Sequence, residues 1–189
     1  TSSVVWQCGI KLARHLCARP EWIDGRRCAE LGAGIGLTGA VAAGLGAAHV
    51  LLTDIAPAVP LLSANAERVN AALGRPVLRV QELLWGERAH LERAGPGCFD
   101  VVLGADILYH QDASAVAALV ATIDSLLTAN GVCIVAYEWR EDWETTGAFH
   151  ELCTGYGLRV EQTALDDADE EDAIIFLLRR GEGLGSQST

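Results

Sequence analysis

Short aliphatic runs alternate with helix-like segments five times along this chain, and no other feature restricts the fold so strongly. "RCAEL" (27–31), "HVLLTD" (49–54), "VLRVQEL" (77–83), "FDVVLGAD" (99–106) and "VCIVAYEW" (132–139) each read as a strand. Their largely continuous apolar side chains fit strands covered on both faces, and alternation with helices specifies a parallel sheet with right-handed crossovers. Helices are predicted over 37–46, 57–73, 112–129 (closed by Asn130-Gly131) and 141–155. A further amphipathic helix is predicted over 6–18, with Ile10, Ala13, Leu16 and Cys17 on one face and Pro20 as its stop. "LRVEQT" (158–163) and "AIIFLLR" (173–179) follow with only the acidic "LDDADEED" (165–172) between them. That loop is too short and polar for a crossover helix, so the last two strands should pair antiparallel as a hairpin at one edge. The expected fold is α/β: a doubly wound, seven-stranded, mostly parallel sheet with an antiparallel C-terminal hairpin. It forms a single domain over 1–180, with an N-terminal helical segment over 1–25 and a flexible tail over 181–189.

A chain of 189 residues has room for one full core, and at this size roughly 70% of the unfolded surface is buried. The net charge of -11 argues against a non-specific binder of nucleic-acid phosphates, which would show a basic face. It fits equally a basic protein partner and plain solubility. Six cysteines (Cys8, Cys17, Cys28, Cys98, Cys133 and Cys153) are scattered without a C-x-x-C pair or a cysteine–histidine cluster. A reduced, intracellular, metal-free protein is the expectation. No apolar run approaches the about 20 residues a membrane span needs, and no signal-peptide pattern opens the chain. Methionine does not occur, so the stretch is expected to be a piece of a longer protein.

The first strand runs into "ELGAGIG": Glu30, then Gly32, Gly34 and Gly36. Alternating glycines let the backbone turn sharply and let a ligand lie against it without intervening Cβ atoms. A dinucleotide fingerprint would require a glycine where Leu37 stands, and no Walker lysine is present, so pyrophosphate is not the implied guest. Asp54 ends the next strand about 20 residues beyond the turn, the spacing at which a carboxylate accepts both ribose hydroxyls. Glu30, beside the glycines, is placed to take an ammonium or an ordered water. The guest implied is a nucleoside with a zwitterionic arm, the shape of S-adenosylmethionine; the alternative is a turn that needs glycine for geometry alone. Trp85, in "LLWGE" after the third strand, falls where an adenine would lie, and Trp6 falls where a side chain would close over the methionine arm. Both tryptophans also suit ordinary packing.

With these residues in place, the chain resembles the DxxY-type seven-β-strand protein-lysine methyltransferases (methyltransferase family 16, which includes the methyltransferase-like 21 group). The resemblance runs over nearly all of residues 4–180. It rests on "VWQCGIKLARHL", "ELGAGIGLTGAVAAGLGAAHVLLTD", "LLWG" and "ADILYH", in the family's order and at plausible spacings. It implies a class I, Rossmann-like fold and S-adenosylmethionine as cofactor, held by Trp6, by Gly32, Ala33 and Gly34, by Asp54, by Trp85 and by Ala105. It implies that Asp106 and Tyr109 are the DxxY pair at the substrate lysine. A protein presenting a lysine would then be the partner, with no nucleic acid and no membrane. A monomer is expected, in the cytoplasm or alternatively the nucleus. Many relatives carry an acid directly before the LWG tryptophan, whereas this chain has Leu84, with Glu82 two places earlier; the adenine-amine contact is therefore open.

A carboxylate beside a lysine stabilises its ammonium form, so Asp106 is expected to capture and orient the incoming charge rather than act as a base. His110, Glu138, Trp139 and Arg140 adjoin the same sheet edge. Two alternatives remain open from the residues alone. One is a methyltransferase acting on a histidine or a small molecule; the other is a non-catalytic module that retains the fold. An amino-directed nucleic-acid enzyme would show an Asn/Asp-Pro-Pro-aromatic motif, and "DILY" has no proline.

Overall fold

Burial along the strands shows how the sheet is covered. A computed structural model of the chain describes residues 4–108, 111–138, 143–164 and 173–181. In it β1 (Arg27–Leu31) buries every residue after Arg27. It is preceded by α1 (Gln7–Cys17) and followed by α2 (Leu37–Gly44), β2 (His49–Asp54), α3 (Val59–Leu73) and β3 (Leu78–Glu82). The chain continues through α4 (Arg88–Ala94), β4 (Phe99–Ala105), α5 (Ala113–Leu126) and β5 (Leu127–Glu138). It ends with α6 (Trp143–Gly155), β6 (Leu158–Ala164) and β7 (Ala173–Arg180).

Successive strand residues point to opposite faces, so two cores form. On one face Cys28, Val50, Leu52, Val101 and Ile134 pack with Leu12 and Leu16 of α1, Ala42 of α2 and Leu62 of α3. On the other, Ala29, Leu31, Val102 and Val135 pack with Leu119 and Ile123 of α5 and Phe149 of α6. Fully burying one such aliphatic side chain contributes about 1.5–3 kcal/mol. Helices on both faces explain why these strands lack a polar side. All six cysteines are free, and Cys28, Cys133 and Cys153 are buried as small apolar side chains.

The strand order is β3-β2-β1-β4-β5-β7-β6. β1 to β5 are mutually parallel, and β7 runs antiparallel to both β5 and β6. This is the expected doubly wound sheet, with the hairpin at the β5 edge. The chain works outward from β1 to β3 and then returns to place β4 on the other side of β1. Crossovers therefore leave β1 and β4 in opposite directions, and a crevice opens at their carboxyl ends.

Several boundaries differ from expectation. The helix predicted to run to residue 129 stops at Leu126, and β5 begins at Leu127. Leu127 is buried opposite Phe99, after which the register shifts before Val132 pairs with Val101. Asn130 and Gly131 thus lie in a bulged stretch of strand, because burying Leu127 against the sheet outweighs another helical turn. Residues 56–58 form a separate 3-10 turn before α3, and α2 ends at Gly44. Helix α4 follows a turn too polar to reveal it by periodicity; Glu87 caps it, accepting the Ala89 N–H. Tyr109, His110, Trp139, Arg140, the acidic loop 165–172 and most of the tail lie outside the described residues. Among the described residues, no helix is long and apolar enough to cross a membrane.

Candidate functional site

The turn after β1 has a shape that only glycine adopts freely. Gly32, Gly34 and Gly36 are all left-handed, at φ +61°, +55° and +83°, where a side chain costs roughly 1–2 kcal/mol per residue. The end of β2 holds this turn: the Ala33 N–H donates to the Thr53 carbonyl at 2.9 Å. The Gly34 N–H donates to Asp54 Oδ2 at 2.7 Å, and Oδ1 of the same carboxylate accepts the Ile55 N–H at 2.7 Å. The glycines divide by role. Gly32 and Gly34 line an open cleft, whereas Gly36 caps α2, and a Cβ there would come within 2.8 Å of Leu62 Cδ1.

The cleft has a volume of about 630 Å³, within the usual range for a cofactor site. It is assembled from the carboxyl ends of four strands. Asp54 and Ile55 come from β2, Leu84 and Trp85 follow β3, and Ala105 and Asp106 close β4. Because β2 and β4 flank β1, the carboxylates of Asp54 and Asp106 stand on opposite sides of the glycine turn. Trp6, at the N-cap of α1, also lines the cleft and is 41% exposed. Six of the residues singled out from the sequence for the cofactor thus meet at one opening, with Asp106 beside them.

Two of those residues do not reach it. Ala33 is buried and does not line the cleft. Glu30 is only 3% exposed and its Oε2 accepts the Gly39 N–H at 2.8 Å, so it serves the first turn of α2 rather than an ammonium in the cleft. Burial pushes its pKa up to about 8, against the opposing hydrogen bonds from Gly39 and Thr38. The reason is the strand pleat: Glu30 points beneath the turn, where α2 covers it. Glu82 pairs in register with Asp54 but is exposed and off the lining, whereas Leu84 is on it.

Asp106 is held in an unusual way. Its φ of +58° is the only positive value outside glycine among the described residues. Its N–H donates to the Ala136 carbonyl at 2.8 Å, which locks it to the end of β5. One oxygen of its carboxylate, one of Glu138 and Sγ of Cys8 all lie within 4.8 Å of one another. Two carboxylates this close favour a positive charge near them. Tyr109, its expected partner, lies outside the described residues.

Sequence reasoning overlooked Ile55, Gln111, Ser114, Ala115 and Ala118 as lining residues. Ile55 carried a signal, as an apolar residue directly after the strand-terminal acid; it is 49% exposed. The α5 residues carried another, a run of small side chains at the start of a helix, where close approach needs little volume. A Cβ on Gly86 would already sit 3.2 Å from Ala118 Cβ.

A family model described as lysine methyltransferase matches residues 1–152. The chain belongs to this lysine methyltransferase family. It is similar to the protein N-lysine methyltransferase METTL21A of Danio rerio, 38% identical over 149 residues, covering 76% of this chain and 66% of that protein. It is also similar to the protein N-terminal and lysine N-methyltransferase EFM7 of Candida glabrata, 29% identical over 188 residues, covering 91% and 72%. This chain spans 66% and 60% of the lengths of the METTL21A proteins of Danio rerio and Mus musculus. Among solved structures, a TehB-like SAM-dependent methyltransferase from Corynebacterium glutamicum superposes with a TM-score of 0.69 at 18% identity, covering 90% of this chain and 88% of that one. Magnesium protoporphyrin IX methyltransferase from Synechocystis, with bound SAM, gives 0.65 at 19% identity, covering 92% and 78%. At such identities the likeness speaks for the fold, the class I, Rossmann-like architecture of the family.

Proposed function

We propose that this chain is an S-adenosylmethionine-dependent protein-lysine N-methyltransferase, with the cofactor in the cleft between Asp54 and Asp106. The observation that carries the reading is the arrangement of those two carboxylates on either side of a left-handed glycine turn. The residues present suit the cofactor. Gly32 and Gly34 leave the cleft floor without Cβ atoms, and Asp54, an acceptor at a strand end, is suited to ribose hydroxyls. Ile55, Leu84 and Trp85 offer an apolar wall to a base, and Trp6 stands at the other end for the methionine arm.

When bound, the cofactor supplies a methyl group on a sulfonium, open to in-line displacement by an amine. The protein's contribution is alignment and the state of that amine. A free lysine with a pKa of about 10.4 is almost wholly protonated at neutral pH. Asp106 would receive it as an ammonium and orient it, with Glu138 adding to the attraction. A carboxylate keeps the proton on, so proton loss to solvent has to accompany desolvation as the lysine enters. Tyr109 is proposed to wall the lysine channel beside Asp106.

The partner proposed is a protein presenting a lysine, taken up by a monomer in the cytoplasm or nucleus. Nucleic acid is not expected, given the net charge of -11. Relatives are named for protein nitrogens of more than one kind, including an N-terminal amine for EFM7 and a histone arginine for METTL23 of Xenopus laevis. The deciding experiment is transfer of radiolabelled methyl from S-adenosylmethionine into proteins of a lysate lacking this enzyme, with Asp106→Ala as control. Mass spectrometry of the labelled band should place the methyl on a lysine side chain. Label on arginine, histidine or an α-amine, or label undiminished in the variant, would overturn the assignment.

A further inference from the structure

The wall formed by Leu84 and Trp85 has no repeating hydrogen-bond ladder to hold it. Leu84 is 55% exposed, so side-chain packing contributes little to its position. Leu83 and Trp85 on either side pack on the core that α5 covers, and the backbone between them is fixed by donors that each find a different element. The Leu83 N–H donates to the Asp54 carbonyl at 2.9 Å, at the end of β2. The Gly86 N–H donates to Thr122 Oγ1 of α5 at 2.9 Å. Between them, the Leu84 N–H donates to Nδ1 of His90, on α4, at 2.9 Å.

The last bond stands out because it depends on one side chain. A backbone N–H needs a lone pair, so Nδ1 of the His90 ring is the acceptor in this bond. The carbonyl of the same residue accepts from Gln81 Nε2 at 2.9 Å, which ties α4 back to β3. Helix α4 buries none of its own residues fully. Its first turn is therefore a brace on the cleft wall more than a part of either core.

We infer that His90 is a positioning residue for the cofactor cleft: by accepting the Leu84 N–H it holds the Leu84–Trp85 wall in place for the base of a bound nucleoside. This rests on the reading of the cleft given under Proposed function. Without the acceptor, the Leu84 N–H turns to water and the wall gains freedom that ligand binding must then remove, which weakens affinity. His90 touches neither the cleft nor the reacting atoms, so its effect passes entirely through the wall.

Isosteric replacement separates this role from a general structural one. In asparagine, Oδ1 is the same number of bonds from the backbone as Nδ1 of histidine, whereas the oxygen of glutamine lies one bond further out. The measurement is the dissociation constant of S-adenosylhomocysteine by calorimetry, on the whole chain and on His90→Ala, His90→Gln and His90→Asn, with urea unfolding of each. His90→Ala and His90→Gln are expected to bind about tenfold more weakly, and His90→Asn within threefold of the parent, with unfolding midpoints alike. An asparagine variant as weak as the alanine one, or all three binding like the parent, overturns the inference. Failure of the parent itself to bind would instead overturn the reading of the cleft.

Discussion

The carboxylate of Asp54 is joined to the backbone of Gly34 by a 2.7 Å hydrogen bond, so the residue that ends β2 also shapes the turn that ends β1. The ligand contact proposed for Asp54 and the geometry of the turn would therefore be coupled through one side chain. Asp54→Ala should weaken binding of S-adenosylmethionine by about 1.5–3 kcal/mol, the worth of hydrogen bonds to a charged group. Part of that loss reflects a loosened turn. Asp54→Asn keeps one acceptor for the Gly34 N–H and should fall between the two. Calorimetry that finds an unchanged dissociation constant in the alanine variant would count against Asp54 as the ribose acceptor.

Asp106 combines the carboxylate proposed to receive the lysine with a backbone conformation that glycine prefers. Asp106→Gly should abolish methyl transfer while leaving the protein at least as stable as Asp106→Ala, by about 1 kcal/mol in favour of glycine. Cofactor affinity should change little in either. Urea denaturation and a methylation assay on the two variants check this; retained activity in both would remove Asp106 from the mechanism.

Glu30 makes stability depend on pH in a direction unusual for a carboxyl group. Its folded pKa of about 8 lies above the ordinary carboxyl value of 4.5 because it is buried. Between those values the folded state holds a proton that the unfolded state has released. Stability from this group is therefore full below about 4.5 and is lost as pH rises through about 8, by at most about 1.4 kcal/mol per pH unit. Glu30→Gln, which still offers an oxygen to the Gly39 N–H, should flatten that fall. Unfolding curves at pH 5, 6, 7 and 8 that run parallel for parent and variant would show that Glu30 does not titrate in this way.

The glycines of the turn should separate by what their mutants lose. Gly36→Ala places a methyl 2.8 Å from Leu62 Cδ1 in a left-handed residue that does not line the cleft. It should cost about 2–5 kcal/mol of stability from conformation and overpacking together. Gly32→Ala places its methyl 3.0 Å from Ile107 Cγ2, beside the cleft. It should weaken S-adenosylhomocysteine binding at least tenfold. Thermal unfolding and calorimetry on the pair test the division, and a Gly32→Ala variant with parental affinity would contradict it.

What the amino-acid order settled by itself was local and periodic. Aliphatic runs of strand length, separated by helical patterns, specified a parallel sheet because strands buried on both faces leave no polar period. "ELGAGIG" announced its turn because φ beyond zero is open to glycine at little cost, and Asp54 announced itself by its distance from that turn. The helix predicted to end at residue 73 ends there for the same reason, before Gly74 at φ +66°. Tertiary structure decided whatever depended on a neighbour from elsewhere in the chain. Leu127 left its helix because Phe99 offered a strand partner, and Glu30 turned from the cleft because α2 lay beneath it. The left-handed Asp106 depends on the Ala136 carbonyl, and the Leu84 wall depends on a histidine six residues on that no periodicity marked. A sequence displays propensities residue by residue, but burial and hydrogen-bond partners exist only once distant segments meet, and here those partners aim the side chains of the cleft.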